Sequence, residues 1–586
     1  MSRKTPFQKR GGAEGLLSVA LPASHDELLS TTTAVLLEFY PASPSAESTF
    51  KQVDAAVECS SSSADAAATS YSGAEDAQEK AAALEELIEE CGSPPPIAPA
   101  PWRYMELPFL SITDSMCMQS GNIASDDADE HTPFLTLILL LVRLALPVGV
   151  TQMLRLSMSF ITTVFMGYYL STEQFAAAAT GLAFTNLTAM SIGAGFSSSL
   201  DTLATQEHGR RKHSPEIAAI FLRSIVCTFT TYLPIAVLYC FCDPLLAVLI
   251  HPDLVANTAY FLRMSVFIAT PMLIVNSLLK FAQSQRVTQL GVVSSATGAV
   301  TLPPLLFLFR GRGLAGIIAA LSINRFLTLS LVVFCVLRSP DLRRCWTGRS
   351  LVEHIQAVLA NGEALWAFAK AGIPVLAANC ADSWSFEVLG VVAARLGPTS
   401  AVVWNIVMIL YCTLFACYIG LASASAVRIG NAMGQGKGLL ARRYSYVVAT
   451  LSAALSSVLM CLLWIFGSSV FQLMQSNEEV IRQGESIGFA MGCTFFFDSV
   501  FYALQGPFRG SGYNGVLFGI TVVGMWCVAV PSAMILPTKL GYGVRGLMYS
   551  LGAGTCCSIP LELSFLWLLL PWEKKAQETS HRAGEA

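Results

Sequence analysis

The chain has 586 residues, 53% of them hydrophobic and 13% charged, with a net charge of −4. Soluble globular proteins carry about 25% charged residues, and the mean hydropathy here is +0.55. These values exclude an ordinary soluble domain and point to an integral membrane protein with many spans. The charge is unevenly divided: residues 1–130 hold 21 acids and 7 bases, the rest 19 acids and 29 bases.

An acidic tail, residues 1–132, comes first. "SSSSADAAATSYSGAED" is polar chain that cannot bury a core, so the tail is expected to be disordered. A short helix is expected only at 74–90, ended by Gly92 and three prolines. No apolar run with a small-residue cleavage site follows the basic start, which argues against a secretory signal. Glu14, Asp26 and Glu27 argue against a transit peptide.

From residue 134 on, apolar runs of bilayer-spanning length recur. Twelve spans are expected, near 141–168, 174–200, 216–241, 252–284, 288–309, 314–337, 364–396, 401–427, 441–469, 483–508, 514–536 and 543–571. The apolar run before Pro147 leaves room for a further short element near 134–142. With the amino terminus inside, the even-numbered connections and the carboxyl tail hold sixteen Lys and Arg, against six in the odd connections. Cytoplasmic loops carry the excess of bases, so both termini are expected in the cytoplasm. The sixteen cysteines form no CxxC pair; they read as small buried residues rather than metal ligands or a disulfide framework.

The spans repeat. "ALPVGVTQ" at Ala145 aligns with "GIPVLAAN" at Gly372, so Pro147 matches Pro374. "GFSSSLDTLATQEHG" aligns with "GLASASAVRIGNAMG", and "KFAQSQ" with "PFRGSG". "GLAGIIAALS" aligns with "GVRGLMYSLG". All four fall at nearly one shift, which covers six spans, so two six-helix lobes with one orientation are expected around a central cleft. The expected division is a first lobe at 133–350, a second at 351–572 and a closing tail at 573–586. Asp382 stands where the first lobe has Arg155, and Asp498 where it has Pro271. The acids belong to the second lobe alone.

These residues resemble the multidrug and toxic compound extrusion (MATE) antiporters of the eukaryotic branch. "SSSLDTLATQEHG", "ASAVRIGNAMGQG", "FRGSGYNG" and "ADSWSFE" look like that family's stretches after the second, eighth and tenth helices and within the seventh. The resemblance covers roughly residues 141–571. It implies a twelve-helix, two-lobe secondary transporter that exports organic cations or other amphiphiles against inward H⁺ or Na⁺, chiefly H⁺. It places Asp382 and Glu387 on the seventh-helix acids, Asp498 on the tenth-helix acid, and Gln152 and Asn186 on polar cavity positions. The chain departs from the pattern in having Asp382 for the usual Glu, Ser383 for a frequent Trp, and Arg155 in the first helix.

Acids inside a membrane are costly and usually functional. A carboxyl group removed from water favours its neutral form, so such an acid can carry a proton and, once ionised, attract a cation. Asp382 and Glu387 lie about 140° apart around a helix, so Glu387 is expected to face away from a narrow cleft that Asp382 faces. Arg155 has three readings: a partner of Asp382, a receiver of an anionic substrate, or a packing partner within its lobe. Trp384, Tyr411 and Tyr502 are candidates for stacking on an aromatic cation. Arg223, Arg263 and Lys280, near span ends, are expected to snorkel. Glu562 is an isolated acid in the last span.

The function expected is proton-coupled export of small organic, chiefly cationic, compounds by alternating access. A Na⁺-coupled or organic-anion exporter of the same fold, or a lipid-linked oligosaccharide flippase, is the alternative. No nucleophile–base motif suggests an enzyme, and an ion channel would need neither the repeat nor isolated acids. No cofactor is expected beyond the coupling ion. The partners expected are a small-molecule substrate and the bilayer, not nucleic acid, with the chain working as a monomer. It is expected in the plasma membrane or a vacuolar or other organellar membrane.

Overall fold

A computed structural model describes residues 128–250, 252–346, 350–474 and 478–581. The tail up to residue 127, and with it the helix expected at 74–90, lies outside the described residues. Lipid offers backbone groups no hydrogen bonds, so each apolar run closes its own as a helix. Polar residues set the starts. The Ser171 hydroxyl accepts from the Gln174 amide at 3.3 Å, and Asn361 Oδ1 accepts from the Ala364 amide at 3.0 Å. Ser214 caps the third span, with Pro215 in its first turn.

Eleven continuous helices among the described residues are long and apolar enough to cross a membrane. One of them, Gln289–Arg338, is two spans rather than one. A single 3₁₀ turn, Arg310–Arg312, and Gly313 at φ +56° fold it back on itself. Asn324 Nδ2 then donates to Gly298 O at 3.0 Å and to Thr301 Oγ1 at 2.8 Å, across the hairpin.

The twelve spans are α1 (Phe134–Tyr169), α2 (Glu173–Arg210), α3 (Pro215–Cys240), α4 (Pro252–Ser284), α5 (Gln289–Phe309) and α6 (Gly313–Arg338). The second set is α7 (Gly362–Arg395), α8 (Pro398–Gly434), α9 (Gly438–Met474), α10 (Glu478–Ser511), α11 (Asn514–Ile535) and α12 (Gly543–Leu569). The chain is all-α through its described residues, and the two sets build two lobes. A core around Phe221, Phe281 and Leu279 fills the first lobe, and a larger one around Tyr418, Phe495 and Phe508 fills the second.

Residues 134–142 are the first turns of α1, not a separate element. The helix runs through Pro147, and Thr151 Oγ1 donates to the Pro147 carbonyl, one turn back, at 2.8 Å. Leu137, Leu141 and Leu144 lie on one face and are buried in the second lobe's core. α2 and α8 also run past their apolar stretches, to Arg210 and Gly434. Their polar ends pack on each other, so polarity there is hidden between lobes instead of meeting water.

Besides the short helices Asp243–Leu249 and Pro340–Arg343, two longer helices were not expected. Leu351–Ala360 lies in the connection between lobes, capped by Ser350, with Leu351, Val352 and Leu359 exposed. An apolar face of that kind suits the membrane interface. Trp572–His581 is a helix in the closing tail, where Trp572 Nε1 donates to Leu566 O at 2.7 Å.

Candidate functional site

Between the lobes lies a cleft of about 800 Å³, walled by α1 from the first lobe and α7, α8 and α10 from the second. Asp382, Glu387 and Asp498 all line it, with Gln152, Arg155, Tyr411 and Tyr502. Glu387 thus shares the cleft with Asp382, contrary to the helical-wheel expectation. The cleft is wide enough to wrap two sides of α7, and Ser383, Phe386 and Gly390 continue its wall between and beyond the two acids. Glu387 is exposed to it and Asp382 half-buried. Asp498 is 2% exposed, and its Oδ2 has no hydrogen-bond partner.

Asn186 and Trp384 do not line this cleft or the chamber below it. Asn186 opens a π-helical stretch, Asn186–Met190, within α2. Trp384 Nε1 donates to the Leu187 carbonyl of that stretch at 3.2 Å. Trp384 therefore joins lobes rather than facing the cavity.

A second chamber of about 290 Å³ lies deeper, between α1, α2, α4, α7, α8 and α10. It shares Gln152, Arg155, Asp382, Ser383, Ile419 and Tyr502 with the cleft above. Arg155 Nη2 donates to Asn276 Oδ1 at 2.9 Å. Neither Arg155 nor Arg325 forms an ion pair with Asp382 among the described residues.

Arg509 of α10 lines the inner chamber with Asp382. Arg509 Nη2 donates to Asn379 Oδ1 at 3.0 Å and to Gln505 Oε1 at 2.9 Å. Its place in the last turn of α10 reads in the sequence as a loop base, but the side chain is buried. Lys280 likewise does not snorkel. Its Nζ donates to Asp201 Oδ2 at 2.7 Å and to Ser423 Oγ, in the other lobe, at 3.4 Å. Arg263 does pair near a span end, with Asp243, and Arg223 pairs with Glu216. Glu562 is fully buried with neither carboxyl oxygen bonded, and both it and Asp498 lie within electrostatic reach of Asp382.

Asp201 is 0% exposed. Removing one member of a buried ion pair strands the other at about 3–5 kcal/mol. Lys280→Met is therefore expected to lower the melting temperature of the detergent-purified protein sharply. Adding Asp201→Leu should recover most of the loss. Equal destabilisation by the single and double variants would show that the pair is not what holds α2 to α4.

Below the chamber the lobes are closed. Thr202 Oγ1 donates to Arg509 O at 2.5 Å, and Gln206 Nε2 to Gly510 O at 2.9 Å. Asn514 Nδ2 reaches Thr202 Oγ1 at 3.1 Å. Glycines let the α2 and α8 backbones touch: a Cβ on Gly209 would stand 2.1 Å from Asn431 O, and one on Gly434 1.9 Å from Gln206 O. Arg210, Lys437 and Arg442 mark this closed end as the side of the basic connections. The cleft opens toward the other side, where α7 and α8 are joined.

Comparison with known proteins agrees with this arrangement. The MatE family model matches residues 147–308 and again 374–535. The two matches start at Pro147 and Pro374, the pair that the internal repeat aligns. The chain is 27% identical over 459 residues to multidrug and toxin extrusion protein 1 of Danio rerio, covering 77% of this chain and 75% of that one. It is 25% identical over 456 residues to Protein DETOXIFICATION 17 of Arabidopsis thaliana, covering 76% and 92%. The crystal structure of the eukaryotic MATE transporter AtDTX14 superposes with a TM-score of 0.67 at 22% identity, over 77% of this chain and 99% of that one. The Vibrio cholerae MATE transporter VcmN, in its bent form, gives 0.62 at 15% identity, over 76% and 98%.

Proposed function

The chain belongs to the MatE family of multidrug and toxin extrusion transporters, and from that premise we propose that it exports small organic compounds bearing a cationic group in exchange for protons. The observation that carries this reading is the cleft itself. It is open at one end, sealed at the other by contacts between lobes, and lined in the second lobe by three carboxyls with aromatic neighbours.

Two lobes that meet along glycine-lined helices can separate at one end while closing at the other, which is alternating access. In the state described here the binding cleft faces away from the basic connections, so with those connections in the cytoplasm it faces outward. Ionised Asp382 and Asp498 attract a cation. A proton arriving from the open side neutralises Asp382 and releases the cargo. The protonated carrier then turns inward and gives the proton to the cytoplasm. Proton and cargo compete for the same carboxyls, and that competition alone couples the two flows. Arg509, beside Asp382, keeps the ionised form from being stranded when the site is empty. Asp498 and Glu562, buried deeper in the same lobe, extend the set of carboxyls over which one proton can be held.

The reading is tested with purified protein in liposomes. A pH gradient imposed without Na⁺ should drive accumulation of labelled tetraethylammonium. Accumulation driven by a Na⁺ gradient instead would assign Na⁺ as the coupling ion, and movement of a labelled lipid in place of the cation would make the protein a flippase.

A further inference from the structure

We infer that the inner chamber is a subsite for an oxyanion carried by the transported molecule, a carboxylate or a close equivalent, so that the preferred cargo is zwitterionic. This rests on the transport reading above and names the substrate class for it.

Three cations line the chamber: Arg155, Lys280 and Arg509. Lys280 is neutralised by Asp201 at 2.7 Å. Asp382 is the one carboxylate among the lining residues, so the chamber sets two guanidiniums against it, while Glu387 and Asp498 line only the cleft above. Among the described residues no carboxylate lies within ion-pair distance of Arg155 or Arg509. An unbalanced charge at membrane depth is expensive and normally meets a ligand or a pathway.

The hydrogen-bond inventory points the same way. A guanidinium offers five N–H donors, and Arg155 spends one on Asn276. Of the four side-chain amide oxygens around the chamber, those of Asn276, Asn379 and Gln283 are already occupied. Asn276 Oδ1 accepts from Arg155, Asn379 Oδ1 from Arg509, and Gln283 Oε1 from Ser423 at 3.2 Å. Apart from Gln152 and the Asp382 carboxyl, what remains is donors, and Asn379 Nδ2 is buried without a partner. A chamber rich in free donors and poor in free acceptors suits a ligand that only accepts. Carboxylates and phosphates are of that kind, and arginine binds them in a planar fork. About 290 Å³ holds such a group with a few carbons. The chamber shares its upper wall with the acid-lined cleft, so a cationic group on the same molecule would lie beside Asp382 and Asp498.

The test compares two probes on the full-length protein in nanodiscs: phenyltrimethylammonium and 4-(trimethylammonio)benzoate, which differ by one carboxylate. Wild type is expected to bind the zwitterion about tenfold or more tighter, as one charge-assisted fork would give. Arg155→Gln should weaken the zwitterion about tenfold and tighten the simple cation, because a repelling charge is gone. Opposite signs separate this from misfolding, which weakens both, and the wild-type comparison needs no variant. Equal wild-type affinities would overturn the inference while leaving cation transport standing. No binding or transport of either probe would instead remove the transport reading on which it rests. If millimolar inorganic phosphate erased the advantage of the zwitterion without being displaced by it, the chamber would be taking a free anion and the assignment to the cargo would be wrong.

Discussion

Asp382→Asn is expected to reduce gradient-driven accumulation of tetraethylammonium to the level of protein-free liposomes. The substitution keeps the size and most of the hydrogen-bonding shape of the side chain, but it can neither lose a proton nor carry a charge. Asp382 is the acid that the two chambers share: it lines the wide cleft and the inner chamber alike. It sits beside Arg509 and within electrostatic reach of Asp498 and Glu562. Neutralising it removes the group for which proton and cargo compete. The packing should survive, because Ser385 Oγ binds the Asp382 main-chain carbonyl rather than its carboxyl, and the backbone contact of Trp526 Nε1 is to Ala381 O at 2.9 Å. Unchanged chromatographic behaviour and melting temperature would establish folding. Full accumulation by the folded variant would move the proton to Asp498 or Glu387.

Gly434→Ala is expected to have the second-largest effect, through conformation instead of chemistry. A methyl group there would lie 1.9 Å from Gln206 O and 2.9 Å from Arg210 N. Both are backbone atoms of α2 and cannot swing aside. The clash is relieved only when α2 and α8 part, which is the movement that opens the closed end. Overpacking costs about 1–3 kcal/mol, and 1.4 kcal/mol changes a population about tenfold. A single cysteine in place of Thr205, fully buried on α2 against Gly430 of α8, in a background without other reactive cysteines, reports the opening. Its alkylation by a water-soluble maleimide should be about tenfold faster in the Gly434→Ala protein, and export should slow because the outward-open state is depleted. No change in labelling would mean the seam does not close in the membrane as it does here. Gly193 makes a useful contrast. Its added Cβ would meet the tip of the flexible Leu273 side chain, so alanine there should be mild.

The spans were legible because bilayer-length apolar runs dominate the composition, and the repeat was legible because Pro147 and Pro374 lie in matching places. The ends were less so. Apolarity stops near 200 and 427, yet α2 and α8 continue to Arg210 and Gly434, since the polar residues there face the other lobe. The candidate site was half legible. Asp382, Asp498 and Gln152 line one cleft, together with Arg155, whose place the sequence left open among three readings. Glu387 joins them because the cleft is wider than a helical wheel assumes. Asn186 and Trp384 face elsewhere because spacing on a helix does not say which neighbour occupies each side. Lys280 and Arg509 were missed for a related reason. Two to four residues from a helix end, a long cationic side chain can turn outward to water or inward to a buried partner. Only the position of Asp201 on α2, and of Asn379 on α7, decides for the inner path.

The central claim is that cargo and proton compete for one set of carboxyls, and it is tested most directly without a membrane gradient. Tetraethylammonium is added to purified protein in weakly buffered, Na⁺-free detergent solution, and proton release is read with a pH indicator. Competition at Asp382 requires that binding expel protons from the wild type and none from Asp382→Asn. Cargo binding that expels no proton from the wild type, or that needs Na⁺, would contradict proton antiport through this site.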